Sequence, residues 1–214
     1  MAEDKTDQTA HDKPAGAPAA AVDHEVRVLD TGALKALAHP LRIAIYDILS
    51  QFGPQTASSL AVQLGESSGS TSYHLRALAR HDLIREVPDR GTARERWWER
   101  PIGGVSFANP DAMRTPSGRA ATQVVMSEFF ERRNRQLRHY LDTDFVVESE
   151  PWREAAMIST ATARLTATQL RELSERIGAL IDETVDHYRN QQGEGVRTVS
   201  MRADLFPIDE GDNS

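Results

Sequence analysis

Seven arginines crowd into 25 positions of the sequence, at a density that suits contact with an anionic polymer. They are Arg76, Arg80, Arg85, Arg90, Arg94, Arg96 and Arg100. A guanidinium group forms charge-assisted hydrogen bonds with phosphate oxygens and can form a bidentate pair with guanine. Acidic residues are interleaved with these arginines, so a solvated surface of mixed charge is the alternative interpretation. Local charge rather than total charge decides between the two.

The charge of the chain is distributed unevenly. The net charge is −7, which taken alone argues against nucleic-acid binding. Residues 1–29 carry three basic and six acidic side chains, and residues 106–214 carry thirteen and eighteen. Residues 30–105 carry nine basic and eight acidic side chains, so their net charge is 9 − 8 = +1. The middle of the chain is therefore the segment where a phosphate-binding surface is predicted.

Small polar residues precede these arginines on a helix predicted over Ser67–His81, with Ser67 or Ser68 as the N-cap. Its buried side is predicted from residues at i, i+3, i+4 and i+7, which are Thr71, His74, Leu75 and Leu78. Its opposite side carries Gly69, Ser70, Ser72, Tyr73, Arg76 and Arg80. Small side chains let a helix approach base edges in a major groove about 12 Å wide. Arg76 suits guanine or phosphate.

A β-hairpin is predicted directly after this helix. A short strand over residues 83–87 leads into the turn PDRG, and a returning strand covers residues 94–100. One of Trp97 and Trp98 is expected to pack on the helices, because the two side chains lie on opposite faces of the strand. Arg90 and Arg94 are placed to reach a phosphate or an adjacent minor groove.

Three helices are predicted before residue 67, and turn signals set their ends. The first ends at His39, because the residue before a proline is disfavoured in the α region. The second begins at Pro40 and ends before Gly53. The third has Thr56 as its N-cap and Gly65 as its stop signal.

This order of elements, together with the pieces AHPLR and STSYHLRAL, resembles the ArsR-type family of bacterial winged helix-turn-helix regulators over roughly residues 30–100. The resemblance implies sequence-specific binding of a double-stranded DNA operator by a homodimer, commonly as a repressor. It places the recognition-helix positions on Ser68, Gly69, Ser70, Ser72, Tyr73 and Arg76. It places the wing within Val87–Arg94, on Arg90, Gly91 and Arg94.

Two other uses of a winged helix stay open. The first is a protein-docking module that binds no DNA, because a fold alone does not fix a function. The second is a sensor whose DNA binding needs a small-molecule or metal co-ligand. The chain has no cysteine, and its two candidate clusters hold two or three ligands at most: Glu183 with His187, and His139 with Asp142 and Asp144. A zinc site needs three or four convergent ligands, so no metal site is predicted.

An enzyme is not predicted. The sequence contains no glycine-rich phosphate loop, no GxSxG elbow and no HExxH pair. Its carboxylates fall on predicted solvated helix faces or in the terminal tails. No cofactor is predicted either.

A long amphipathic helix is predicted after a linker at residues 106–118. Its apolar stripe contains Val125, Phe129, Leu137 and Tyr140, with Phe130 beside it. Such a stripe must be buried, either against its own chain or against a second subunit. Dimerisation is the favoured interpretation.

The last eighty residues are predicted to form a strand, a helix and a strand. The strands cover WREAAMISTATARLT and VRTVSMRADLFP, and the helix between them has Thr166 or Thr168 as its cap. Phe145, Trp152 and Met157 are candidates for lining a pocket for an unidentified small-molecule effector, or for being ordinary core residues.

The predicted organisation is thus mainly α with small β, a winged helix-turn-helix followed by a dimerisation helix and a strand-helix-strand domain. The tails cover residues 1–28 and 207–214, the DNA-binding domain 29–105, and the dimerisation or effector domain 119–206. No run approaches the 18 or so apolar residues of a membrane span, so no membrane partner is predicted. The absence of cysteine fits a cytoplasmic protein.

Overall fold

The computed structural model describes residues 26–92, 95–107 and 109–208. Within these residues helices dominate and two small sheets accompany them. The arrangement is an α+β winged helix-turn-helix with a long helix after it, which confirms the predicted fold class. The C-terminal region differs from the predicted strand-helix-strand arrangement, because the described residues there form the helix but not the two strands.

Three helices precede the arginine-rich segment. They are α1 (Thr31–Leu37), α2 (Pro40–Phe52) and α3 (Ala57–Leu64). The first residue of α2 is a proline, whose missing N–H costs nothing in the first turn. At the start of α3 the Ser59 backbone N–H donates to the Thr56 hydroxyl over 3.1 Å, as expected of an N-cap. Gly65 ends α3 in the left-handed region, at a φ of 67°. These helix ends confirm the predicted turn signals.

Helix α4 spans Ser68–Ala79, with Ser67 as its N-cap. The Ser70 backbone N–H donates to the Ser67 hydroxyl over 3.1 Å. The Thr71 hydroxyl, which is fully buried, donates to the Ser67 carbonyl over 3.0 Å and so needs no other partner. The side that faces the core consists of Thr71, Leu75 and Leu78.

A three-stranded antiparallel sheet contains the hairpin. Its strands are β2 (Gln55–Thr56), β3 (Arg85–Thr92) and β4 (Glu95–Glu99), in the order β2-β4-β3. Trp98 on β4 is 8% exposed and belongs to the core, whereas Trp97 is half-buried. One tryptophan of the pair was predicted to pack on the helices, and Trp98 is that residue.

The segment PDRG is not the turn of the hairpin. Glu86 pairs with Trp98, and Gly91 pairs with Arg96. Five residue steps along β3 therefore correspond to two along β4, which leaves three extra residues in β3. The extra residues form a bulge inside β3, and the pairing continues to Thr92.

Backbone chemistry explains the bulge. Pro88 has no N–H to donate to a ladder. Asp89 has a φ of 59° and Gly91 a φ of 104°, values that bend a strand rather than extend it. The same residue types favour tight turns, which is why the sequence pattern predicted one here.

A second small sheet joins the beginning of the described chain to the segment after the hairpin. β1 (Arg27–Val28) pairs in parallel with β5 (Val105–Ser106). A short helix, α5 (Pro110–Met113), comes next, and its Ala112 is fully buried. The expected linker at residues 106–118 therefore contains part of a strand, a short helix and the start of the next helix.

The long helix α6 spans Pro116–His139. It continues through a π-helical turn at Tyr140–Asp144 into α7 (Phe145–Val147), and α8 (Glu150–Ala155) comes after it. Val125 of α6 is fully buried in one core with α1 to α4. The other large apolar side chains of that core below 2% exposure are Leu29, Leu34, Leu37, Ile43, Ile45, Leu60, Leu75, Leu78 and Ile84.

The described chain falls into two compact units. The first comprises the elements from β1 to α8 with Thr198–Ser200. The second comprises Arg164–Arg197 and the described residues from Met201 onward, and its one helix is α9 (Ala167–Tyr188). The backbone N–H of Gln169 donates to the Thr166 hydroxyl over 3.3 Å, so the predicted helix has the predicted cap. No helix in the described part of the chain meets the length and hydropathy needed to cross a bilayer.

The two strands predicted around α9 are not formed. Residues 150–155 are helical, and residues 156–166 and 196–208 have no regular structure. A strand needs a neighbour to pair its N–H and C=O groups, and neither segment pairs with one among the described residues. Alternation of apolar and polar residues was therefore not sufficient evidence for a strand.

Candidate nucleic-acid interface

The outward face of α4 exposes most of the residues predicted to contact DNA. Tyr73 is 63% exposed, and Gly69, Arg76 and Arg80 are exposed as well. Ser68 is exposed at the first turn, whereas Ser70 and Ser72 are half-buried. The face thus combines small groups near its N-terminus with two arginines further along.

One flank of α4 borders a cleft of about 280 Å³. Ser68, Ser72 and Arg76 line it from α4, and Thr56, Ala57 and Ser58 line it from the beginning of α3. The wall on the far side is β4, which contributes Glu95, Arg96 and Trp98. The cleft brings three separate elements to the edge of the α4 face, where hydroxyl and guanidinium groups are the main donors.

The seven arginines divide by their partners. Arg85 pairs with Glu99 over 2.7 Å, and Arg96 pairs with Glu86 over 3.2 Å, as the mixed-charge interpretation expects. Arg100 donates to the Gly103 carbonyl over 2.8 Å. Among the described residues, no carboxylate pairs with the three others that can be assessed, Arg76, Arg80 and Arg90. These three are the arginines available to phosphates.

Arg90 is held over the hairpin rather than pointing freely into solvent. Its guanidinium carbon lies 3.8 Å from the centroid of the Trp97 ring, a cation–π contact. Gly91 makes this arrangement possible, because a Cβ at that position would lie 2.9 Å from Cδ1 of Trp97 and would overlap the Glu95 carbonyl oxygen. The third predicted wing residue, Arg94, lies outside the described residues.

The inner edge of α4 carries His74. Its Nδ1 is buried without a hydrogen-bond partner among the described residues, and its ring centroid is 4.7 Å from that of His39. Burial lowers the pKa of His74, the neighbouring His39 and Arg42 lower it further, and Glu66 opposes them. His74 is therefore a packed histidine in cationic surroundings.

Sequence reasoning missed Thr56 and Ser58 as part of this surface, and it included Arg96 only as a member of the arginine cluster. They belong to the surface because β2 pairs with β4, with Thr56 opposite Trp97, which brings the start of α3 beside the hairpin. The two residues of β2 lie between Pro54 and α3 in the sequence, but two residues are too few to predict a strand.

The five residues predicted to form a dimer contact do not lie on one free surface. Val125 is fully buried by its own chain. The Phe129 ring packs against Phe107, with centroids 5.0 Å apart. Val125 is therefore excluded from a contact with a second subunit, because its side chain is already enclosed. Phe130 is 40% exposed, and Leu137 and Tyr140 are half-buried.

The described residues bring together no group of three candidate metal ligands, and one of the three suggested pocket residues is too exposed to line a pocket. Nε2 of His139 lies 3.8 Å from a carboxylate oxygen of Asp144, but no group of three candidate ligands occurs within the described residues. Phe145 and Met157 are 38% and 86% exposed, so Met157 does not line a pocket.

Comparison with known proteins gives one family match. Residues 37–87 match a family described as "Helix-turn-helix domain". No curated protein matches the chain. The match does not specify the ArsR type, which stays a prediction.

Two similar solved structures, both of low sequence identity, are named as a repressor and a transcriptional regulator. The adhesin competence repressor AdcR from Streptococcus pyogenes is 15% identical, with 67% of this chain and 80% of that chain covered and a TM-score of 0.29. The transcriptional regulator Tm0710 from Thermotoga maritima is 14% identical, with 75% and 90% covered and a TM-score of 0.29.

The helix-turn-helix match ends at Val87, inside β3. The hairpin of β3 and β4 comes directly after the helices, in the position of the wing in a winged domain. Residues 37–87 thus match a helix-turn-helix family, and the hairpin that begins within the match lies in the position of a wing.

Proposed function

We propose that the chain is a transcriptional regulator of the ArsR type that binds a specific duplex operator as a homodimer and represses transcription. One observation carries the proposal. The outward face of α4 presents small residues and two arginines without carboxylate partners in the described chain, beside a wing whose Arg90 is also without one. A helix of this kind fits the major groove, and an arginine on a wing can contact a backbone phosphate or an adjacent minor groove.

Within this proposal the residues have different roles. Ser68, Gly69 and Ser72 allow close approach to base edges, and Arg76 forms the bidentate pair with a guanine. Ser70, Tyr73 and Arg80 contact the adjoining backbone. Arg90 and Gly91 form the wing contact, with Arg94 beside them. Such a regulator acts in the cytoplasm and needs no catalytic residue.

Selection of bound sequences from a random duplex pool tests the function without knowledge of the operator. A dimeric reader enriches a palindrome whose half-sites are about one helical turn apart. If no sequence is enriched, even when the selection is repeated at low salt, the result would contradict the proposal and would favour the protein-docking alternative.

Arg76→Ala is expected to weaken binding to the selected operator by about 1–3 kcal/mol and to relax specificity at one base position. The reason is that a bidentate arginine discriminates one base pair, whereas a phosphate contact weakens all duplexes alike. The measurement is the dissociation constant for the operator and for single-base variants. Arg153→Ala on α8, also an exposed arginine, is the matched control and should bind as the original chain does.

Homodimerisation is proposed through the second half of α6 and the π-helical turn that continues it. Phe130, Leu137 and Leu141 follow one another at i, i+7 and i+11 and therefore share a face. Phe130 and Leu141 are 40% and 41% exposed. Two copies of one helix face can pair about a twofold axis, which is the usual symmetry of a dimer that reads a palindrome.

Changing both Phe130 and Leu137 to aspartate should convert the dimer to a monomer, because like charges would meet across the twofold axis. Light scattering after size-exclusion chromatography measures the mass directly. Val124→Asp is the control, since Val124 is 44% exposed on a different face of the same helix. A double variant that stays dimeric would show that the contact lies elsewhere, and a monomeric original chain would contradict the proposed homodimer.

A further inference from the structure

Arg42, on the first turn of α2, lacks an anionic partner among the described residues. Its Nε is buried and has no hydrogen-bond partner there. Burial lowers the pKa of its guanidinium, and the shift is opposed by Tyr73 rather than by a carboxylate of the described chain. The side chain as a whole is half-buried, and a partly buried cation without an acceptor is destabilising in the free protein. An anion that met the accessible part of this side chain, rather than its enclosed Nε, would therefore stabilise it.

The side chains around Arg42 are donors as well. Nδ1 of His39 accepts a hydrogen bond from the Leu41 backbone N–H over 3.2 Å, which leaves Nε2 to carry the proton of the neutral ring. His74, whose Nδ1 is also buried and unpartnered within the described chain, lies against this ring at 4.7 Å between centroids. The Tyr73 ring is 5.2 Å from the His74 ring. We term Arg42, His39, His74 and Tyr73 the α2–α4 donor cluster.

One acidic group of the described chain acts on the cluster from the elements packed around it. Glu66, between α3 and α4, raises the pKa of His74, but its effect is the smallest of the four causes. The larger effects come from burial, His39 and Arg42, and all of them disfavour positive charge. An anion bound in the cluster would reverse that balance.

The cluster lies on the flank of α4 that is opposite the cleft. Ser68, Ser72 and Arg76 face α3 and β4 on one side of the helix, whereas His74 faces α2 on the other. Tyr73, 63% exposed, connects the cluster to the outward face. A helix in the major groove has a phosphate backbone on each side, so both flanks of α4 would meet phosphates.

We propose that Arg42, with Tyr73 and His74 beside it, binds a backbone phosphate of the duplex on this second flank. The proposal rests on the DNA-binding function proposed above and adds a contact from α2 to it. Phosphate oxygens accept several hydrogen bonds at once, which matches a cluster made of donors. The duplex is preferred over a free anion because Tyr73 makes the cluster continuous with the outward face of α4.

Salt dependence of duplex binding tests the contact. Arg42→Gln removes the charge and keeps a shorter polar side chain, and it should weaken operator binding on the order of tenfold. The slope of log K against log salt should become shallower by about 0.9, the value for one phosphate. Arg42→Lys keeps the charge and should retain most of the slope. Arg153→Gln is the control for loss of an exposed arginine and should change neither quantity.

A second variant tests the cluster in case Arg42→Gln does not fold. If Arg42→Gln melts below the assay temperature, His39→Asn removes the Nε2 donor of the cluster, keeps a side-chain acceptor for the Leu41 backbone N–H, and should still weaken binding several-fold if the cluster holds a phosphate. An unchanged affinity in His39→Asn together with an unchanged slope in any folded Arg42 variant would overturn the inference while leaving the proposed function intact. An original chain that binds no duplex at any salt would instead overturn the proposed function.

Inorganic phosphate separates the duplex from a free anion. The melting temperature of the original chain and of Arg42→Gln is measured in phosphate and in chloride at equal ionic strength. A phosphate-specific rise in the original chain alone, combined with an unchanged slope for duplex binding in Arg42→Gln, would assign the cluster to a free anion and contradict the duplex contact.

Discussion

Gly91→Ala should weaken operator binding on the order of tenfold while the helical core stays folded. At a φ of 104° an alanine is strained, at a cost of about 1–2 kcal/mol. The added Cβ would also meet the Glu95 carbonyl oxygen and Cδ1 of Trp97, so β3 must move away from β4. That movement carries Arg90 off the Trp97 ring, and a wing phosphate is lost. Titration of labelled operator at several salt concentrations measures the effect.

Gly53→Ala separates the strain of a positive φ from damage to the wing. Gly53 has a φ of 72°, and nothing lies within 4 Å of its added Cβ. It is the C-cap of α2, and no described atom of the hairpin lies within reach of its added Cβ. Both variants should lose stability from the strained φ, and Gly91→Ala should lose more because its Cβ also meets the Glu95 carbonyl oxygen. Only Gly91→Ala should reduce the salt slope, by about 0.9 for each phosphate lost. Equal slopes in both variants would remove the wing from the DNA contact.

The sequence predicted best the elements whose ends are encoded locally. Pro40, Thr56 and Gly65 act on the backbone of their own turn, so α2 and α3 begin or end where these residues stand. The buried side of α4 was likewise readable, because a helix that packs on one core needs apolar residues at a spacing of three and four. Local chemistry was sufficient there.

The hairpin shows where local chemistry is ambiguous. Residues 88–91 have the types that make a tight turn, and the same types make a bulge when a partner strand is present. The choice is made by pairing with β4, which contains the buried Trp98. Register depends on which side chain enters the core, and a single segment does not reveal that.

The C-terminal region shows that a strand-like pattern can occur in the sequence without a strand in the structure. Val199, Met201 and Leu205 alternate with polar residues, yet residues 196–208 have no regular structure. Alternation describes a surface that fits a sheet, not the presence of a sheet to fit. A strand requires a second strand, and the described chain offers none to this segment.

Part of the candidate site was predictable from the sequence, and part depends on contacts between distant segments. Exposure of Tyr73, Arg76 and Arg80 follows from the helix period and was predictable. The pairing of Arg85 with Glu99 and the stacking of Arg90 on Trp97 depend on cross-strand neighbours, which the sequence order does not display. The donor cluster around Arg42 depends on how α2 crosses α4, and nothing in the local sequence of α2 marks that residue.

Leu75→Ala should lower the free energy of unfolding by about 2–5 kcal/mol. Leu75 is fully buried where α4 packs on the core, and the lost methyl groups leave a cavity that the neighbouring helices fill only in part. Urea denaturation followed by circular dichroism measures the change. Val62→Ala on α3, at a position 84% exposed, removes apolar surface without making a cavity and should cost less than about 0.5 kcal/mol.

This variant also separates folding from recognition. Leu75 is buried beneath the outward face, so the folded fraction of Leu75→Ala should bind the operator with the salt slope of the original chain. Arg76→Ala should do the reverse, because its side chain is exposed and its removal leaves the core intact. A loss of specificity in Leu75→Ala under conditions where it is fully folded would mean that α4 shifts on the core. The outward face would then depend on the packing beneath it as well as on its own residues.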